Sequence, residues 1–198
     1  MITEPDYERA TNAAYIELSQ YNGSFPQIDI FELLFVSGNI RLKTYTQTAR
    51  YLRCSHNEFA YQIAQSEYGF TVADLRAKEY IIYFNNLKDD KTIRFTLAHE
   101  LGHIRLGHTL DNEIADKEAN CFARNLLCPI QLIKGFNLST AEDYAECFGI
   151  SEPMAKASLA HFNSDVYYIT NQNDRIVSDK IYSYMTGYAL AELYGIQC

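Results

Sequence analysis

The sequence has no apolar run close to the roughly 20 residues that a membrane-spanning helix needs, its longest clean one being Tyr80 to Phe84. A membrane helix is not expected, and the opening residues MITEPDYERA show no signal-peptide pattern, so the chain reads as cytoplasmic. Basic residues are scarce: 17 Lys and Arg face 25 Asp and Glu, for a net charge of −8. A surface this acidic repels phosphate backbones, which argues against direct nucleic-acid binding. No Cys-x-x-Cys pair occurs among the five cysteines (54, 121, 128, 147 and 198), and they read as reduced thiols in or near a core. What is present is the composition of a folded chain. Hydrophobic residues make up 47% and charged ones 21% of 198 residues, enough for one domain with a small appendage.

Periodicity and punctuation place the elements. Tyr7, Ala10, Ala14 and Leu18 recur at helical spacing after Thr3 and Asp6, which resemble a capping box, and this predicts a helix to about Gln20. A second helix is expected over 26–35, with Ile28, Phe31 and Leu34 inward, and then a strand over 40–46. Ser55 with Glu58 forms a capping box for a helix that has Phe59 and Ile63 inward and Gly69 as its stop. Strands follow at 70–72 and 80–84, then two helices over about 92–107 and 112–127, the latter closed before Pro129. Beyond it come short helices opened by Ser139 with Glu142 and by Ser151, a strand over 166–170, and a terminal helix over 175–195. The fold class is α+β, drawn as two parts: residues 1–130, and a mainly helical 131–198 with the layout of a helix-turn-helix.

The chemistry concentrates in the helix pair. Residues 99–103 read His-Glu-Leu-Gly-His, and two histidines four apart on a helix share a face one turn apart, where both imidazoles reach one metal ion. Glu100 lies about 100° around the helix, the place for a base acting on water. A catalytic zinc takes three protein ligands, so another must come from nearby. Gly107 and His108 are out of register for one zinc-protease pattern, and His108 reads as a solvated or capping side chain. The next helix offers Asp116 or Glu118. Its apolar arc centres on Ala119, with Asp116 roughly 60° and Glu118 roughly 100° from that centre. A carboxylate inside a buried stripe needs a partner, which favours Asp116 as the ligand, with Glu118 in an ion pair or holding a ligand from outside, or else as the alternative ligand; Asn120 is in position to hold a histidine nitrogen.

RFTLAHELGHIRLGH at 94–108 and DKEANCFARNLLCP at 116–129, after the strand EYIIYFNN, resemble the ImmA/IrrE family of zinc metallopeptidases. The resemblance implies a small zincin-like fold, a gluzincin-like ligand scheme of His99, His103 and a carboxylate around Zn2+, and cleavage of a protein partner. The family usually carries Glu where this chain has the shorter Asp116. The implied chemistry is hydrolysis by metal-activated water, with Glu100 taking the proton and returning it to the leaving amine. His161 or a tyrosine stands as the oxyanion donor, and the strand at 80–84 is either an edge for an extended substrate or an ordinary core strand. The expected partner is a separately encoded helix-turn-helix repressor of a mobile element or stress response. The helix at 152–162, with only Lys156 and His161 against Glu152, lacks the contacts of a DNA reader. Two other readings stand beside the protease: a non-catalytic antirepressor or adaptor, against which the intact Glu100 argues, and a toxin-like component of a two-gene module.

Overall fold

The computed structural model describes residues 4–74, 76–110, 112–169 and 173–188. They divide into two compact units, one made of Asp29–Ala123 with Pro5, the other of Asp6–Ile28 together with the chain from Arg124 onward. The division therefore falls inside a helix, near 124, and groups the N-terminal helix with the C-terminal part.

The first unit is built on a three-stranded sheet in the order β1 (Ile40–Thr44), β3 (Glu79–Phe84), β2 (Gly69–Asp74). β3 runs parallel to β1 and antiparallel to β2, so that Ile82 is opposite Leu42 on one side and Thr71 on the other. Of the two readings of residues 80–84, the open edge is corrected and the core strand is what the structure has. β3 is the central strand and its hydrogen bonds are taken, whereas β1 and β2 are the outer strands. Helix α2 (Ile30–Val36) starts later than expected because Asp29 caps it, accepting from the Phe31 and Glu32 amides at 2.9 and 3.1 Å. Ile30, Leu33 and Leu34 are its inner face, and Phe31 is exposed.

Three further boundaries move for local reasons. β1 stops at Thr44 because that hydroxyl caps α3 (Tyr45–Leu52) in a reciprocal box with Gln47, which makes residues 45 and 46 helical. The Ser55/Glu58 box is present, but the helix it opens is one turn, α4 (His56–Glu58), running into a π-helical turn over Phe59–Ala64 that ends at Gln65 with φ 52°. Phe59 points inward and Ile63 outward. Tyr45, Ala49, Phe59 and Ala60 form a small core there, where burial pushes the Tyr45 hydroxyl up to about 12. Gly69 is not a helix stop; it begins β2. A Cβ on it would lie 2.9 Å from the Tyr83 carbonyl oxygen and 2.6 Å from Thr96 Cγ2, so only glycine lets the strand start so close to its neighbours.

Two helices complete this unit. In α5 (Asp90–Leu106), Asp89 caps the start by accepting from the Thr92 amide at 3.0 Å, and Gly107 ends it at φ 65°. The side-chain oxygen of Asn112 accepts from the Ile114 and Ala115 amides at the start of α6 (Glu113–Leu127). Leu97, Leu101 and Ile104 of the first, and Ala119 and Phe122 of the second, are buried.

The second unit is helical: α1 (Tyr7–Gln20), the end of α6, α7 (Ile130–Gly135), α8 (Ala141–Phe148), α9 (Glu152–Tyr168) and α10 (Asn173–Thr186). Asp6 caps α1, while Thr3 of the expected cap lies outside the described residues, and Thr140 with Asp143 caps α8 in place of the expected Ser139 and Glu142. The strand expected at 166–170 is instead the end of α9 as far as Tyr168; Thr170 and residues 189–195 of the expected terminal helix lie outside the described residues. Buried Arg124 clasps Asp165 with two bonds of 2.7 and 2.8 Å, and fully buried Tyr15 donates to Gln131 Oε1 at 2.8 Å while accepting from the Ile130 amide. No helix among the described residues is long and apolar enough to cross a membrane.

Candidate metal centre

The close approach of α5 and α6 is written into one residue. Gly102 lies within the His-Glu-Leu-Gly-His run, and a Cβ there would meet Phe122 Cδ1 at 3.1 Å and Ala119 Cα at 3.2 Å. With hydrogen in that place, the backbones pack closely enough for side chains one turn away on both helices to meet. Ala119 and Phe122 fix the rotation of α6 by being fully buried, which turns Asp116 and Asn120 toward the histidines.

His99 and His103 face each other across one turn with their Nε2 atoms 2.9 Å apart. Asp116 Oδ1 lies 3.5 Å from His103 Nε2 and 3.8 Å from His99 Nε2. A tetrahedral ion with bonds of about 2.0–2.1 Å sets its ligands about 3.3–3.4 Å apart, a value that these three separations bracket. Two imidazole nitrogens and one carboxylate oxygen therefore converge in an arrangement that fits a metal ion. Asn120 Oδ1 lies 2.9 Å from His99 Nδ1. Because an amide oxygen only accepts, His99 carries its proton on Nδ1 and turns the lone pair of Nε2 inward.

Glu100 is buried and accepts a hydrogen bond from Thr71 Oγ1 at 2.8 Å, on the outer strand β2. That bond ties the carboxylate to a strand that is outermost in the sheet among the described residues. Glu118 stands elsewhere. Its Oε2 lies 2.9 Å from His108 Nε2, and His108 Nδ1 in turn lies 3.0 Å from His103 Nδ1. Asp116 is the carboxylate grouped with the two histidines, yet its burial is the reverse of what helical phase predicts: its side chain is 46% exposed and that of Glu118 is 5% exposed. The arc is wider on the Glu118 side, because a histidine partner carries that flank into the interior. His108 is correspondingly neither solvated nor a cap. His161 is exposed on α9, in the second unit.

Thr71, Gly102 and the pairing of His108 with Glu118 were not legible as parts of the site from residue spacing alone. Gly102 had the clearest signal, a glycine in the middle of a 17-residue helix, where it costs about 1 kcal/mol relative to alanine unless something packs against it. Among known proteins, a peptidase family model described as the IrrE N-terminal-like domain matches residues 26–160. No curated protein matches the chain.

Proposed function

The chain belongs to the family of IrrE N-terminal-like peptidase domains, and from that premise we propose that it is a zinc-dependent endopeptidase of zincin-like architecture that cleaves a separately encoded protein, a basic helix-turn-helix repressor. The observation that carries this reading is the meeting of His99, His103 and Asp116 beside a Glu100 that Thr71 holds in place. His99 and His103, through Nε2, and Asp116, through Oδ1, would hold the zinc. When bound, zinc supplies Lewis-acid activation of water and polarisation of the scissile carbonyl. Glu100 takes the proton of the attacking water through a carboxylate oxygen and passes it to the leaving amine. Thr71 Oγ1 donates to Oε2 of that carboxylate, which fixes its plane.

Substrate binding follows from the sheet. Among the described residues β2 pairs with β3 on one side only, and an extended peptide adding to its outer side would lie along the strand that carries Thr71. The net charge of −8 speeds encounter with a basic partner, an effect that salt weakens because exposed charges are screened over about 8–10 Å. A linker of a basic repressor has both properties, the extended chain and the charge.

The test pairs metal analysis with co-expression. Purified protein should hold one zinc per chain, and a repressor encoded beside it should be cut at one position, read by mass spectrometry. Glu100→Gln should keep the zinc and lose cleavage by about 10² to 10⁴. If the wild type and Glu100→Gln leave the repressor equally intact, the substrate assignment is wrong; if the variant retains biological activity, the adaptor reading replaces the enzyme.

A further inference from the structure

The helix C-terminal to the histidine pair carries a side-chain relay that the proposed reaction does not use. Gly107 ends α5 in the left-handed conformation and turns the chain so that the next residue, His108, folds back beside His103, its amide donating to the His103 carbonyl at 3.0 Å. The two rings meet edge to face, with centroids 5.0 Å apart. The ring of His108 is then bonded at both nitrogens: Nε2 lies 2.9 Å from Glu118 Oε2 and Nδ1 lies 3.0 Å from His103 Nδ1. The side chains of His108 and Glu118 are 10% and 5% exposed, so this is a built interior contact and not a surface pair.

The order of donors follows from what each group can do. A carboxylate accepts, so the proton of His108 is on Nε2 and points at Glu118. A neutral imidazole has one donor and one acceptor, which makes Nδ1 of His108 the acceptor. The proton between the two rings therefore belongs to Nδ1 of His103, and Nε2 of His103 is left with its lone pair, facing His99 and Asp116. Asn120 does the same for His99 by a single step. Both histidines are thus held in the same tautomer, one by an amide and the other by a two-residue chain.

We propose that His108 and Glu118 are positioning residues that fix the ring angle and tautomer of His103 for metal binding, acting through His103 without touching the ion. This rests on the reading of His99, His103 and Asp116 as a metal site. General experience with outer partners of ligating histidines is a loss of 10- to 100-fold in metal affinity when they are removed.

The experiment measures the zinc dissociation constant of the full chain by competition with a chromophoric chelator, alongside the melting temperature of the metal-free protein. His108→Asn and His108→Leu have nearly the same shape, but only asparagine can accept from His103 Nδ1. The leucine variant should bind zinc 10- to 100-fold more weakly than wild type, and the asparagine variant should recover most of that loss at a similar melting temperature. At the other end of the relay, Glu118→Gln keeps an acceptor for His108 and should bind within a few-fold of wild type, whereas Glu118→Leu should not. Equal affinities of the asparagine and leucine variants, or full affinity in Glu118→Leu, would overturn the positioning role while the metal site stands. If the wild-type chain takes up no zinc, the site reading fails first and the relay falls with it. Should a leucine variant not fold, the comparison of His108→Asn and Glu118→Gln with wild type still decides, because a loss of 10-fold or more in both would show that an acceptor at these positions is not what His103 requires.

Discussion

Gly102→Ala sets two effects of opposite sign against each other on one atom. In a helix interior, alanine is more favourable than glycine by about 1 kcal/mol, so a helix-only argument predicts stabilisation. Against it stands the space: the added Cβ would lie 3.1 Å from Phe122 Cδ1 and 3.2 Å from both Phe122 Cβ and Ala119 Cα. Carbon atoms pack at about 3.5–4.0 Å, so α6 must retreat by about half an ångström. Neither neighbour gives easily, since Ala119 Cα is backbone and Phe122 is fully buried. Overpacking of this kind costs about 1–3 kcal/mol, leaving a net loss of about 1 kcal/mol. For a chain of this size that corresponds to a melting temperature lower by about 2–4 °C. The more telling consequence concerns the metal. Asp116 and Asn120 ride on α6, so the retreat draws both away from the histidines, and zinc affinity should fall together with stability. Thermal melts of the metal-free protein and a chelator competition read the two effects separately. A rise in melting temperature with unchanged zinc affinity would refute the reasoning, because it would mean that Gly102 does not set the approach of the helices.

The fold was legible wherever a short-range rule governs. α5 and α6 follow the 3.6-residue period, and β3 is a run of aromatic and β-branched residues closed by Asn85 and Asn86. The Ser55/Glu58 box opens a helix as its pattern says, but pattern alone gives no length: the chain leaves it through a π-helical turn once Phe59 and Ala60 are buried beside Tyr45. What escaped the sequence was pairing and depth. That β3 lies between β1 and β2 depends on its pairing with β1, about 40 residues earlier, and no property of the run 80–84 distinguishes a centre from an edge. At the site, the histidine spacing and the place of Asn120 follow from helix geometry. The relative burial of Asp116 and Glu118 does not, because it turns on where His108 goes after Gly107, and a left-handed residue after a helix redirects the chain in a way that spacing does not encode.

Three further outcomes are expected. Thr71→Val removes the hydroxyl bonded to Glu100 and keeps the side-chain shape; cleavage should slow by about 10-fold, in line with a hydrogen bond to a charged group, with zinc content unchanged, and restoration by Thr71→Ser should follow. A full-rate valine variant would remove Thr71 from the site. Asp165→Ala takes the bidentate partner from buried Arg124 and should lower stability by about 3–5 kcal/mol, read by denaturant unfolding; a loss below about 1 kcal/mol would show that the pair is not structurally important. The last concerns the two carboxylates of α6. Asp116 Oδ1 is within 3.5 and 3.8 Å of the two Nε2 atoms, close to the separation an ion would impose, so the short aspartate already reaches without any movement of the helix. Its side chain is 46% exposed, which leaves room for one more methylene to fold outward. Asp116→Glu should therefore keep zinc with an affinity within about 10-fold of wild type. Asp116→Ala should lose more than the 10- to 100-fold typical of an outer partner, because a direct ligand is gone. Glu118→Gln should leave the zinc in place, as its carboxylate faces His108 and not the ion. Zinc retained by Asp116→Ala and lost by Glu118→Gln would show that the carboxylates exchange roles when metal binds.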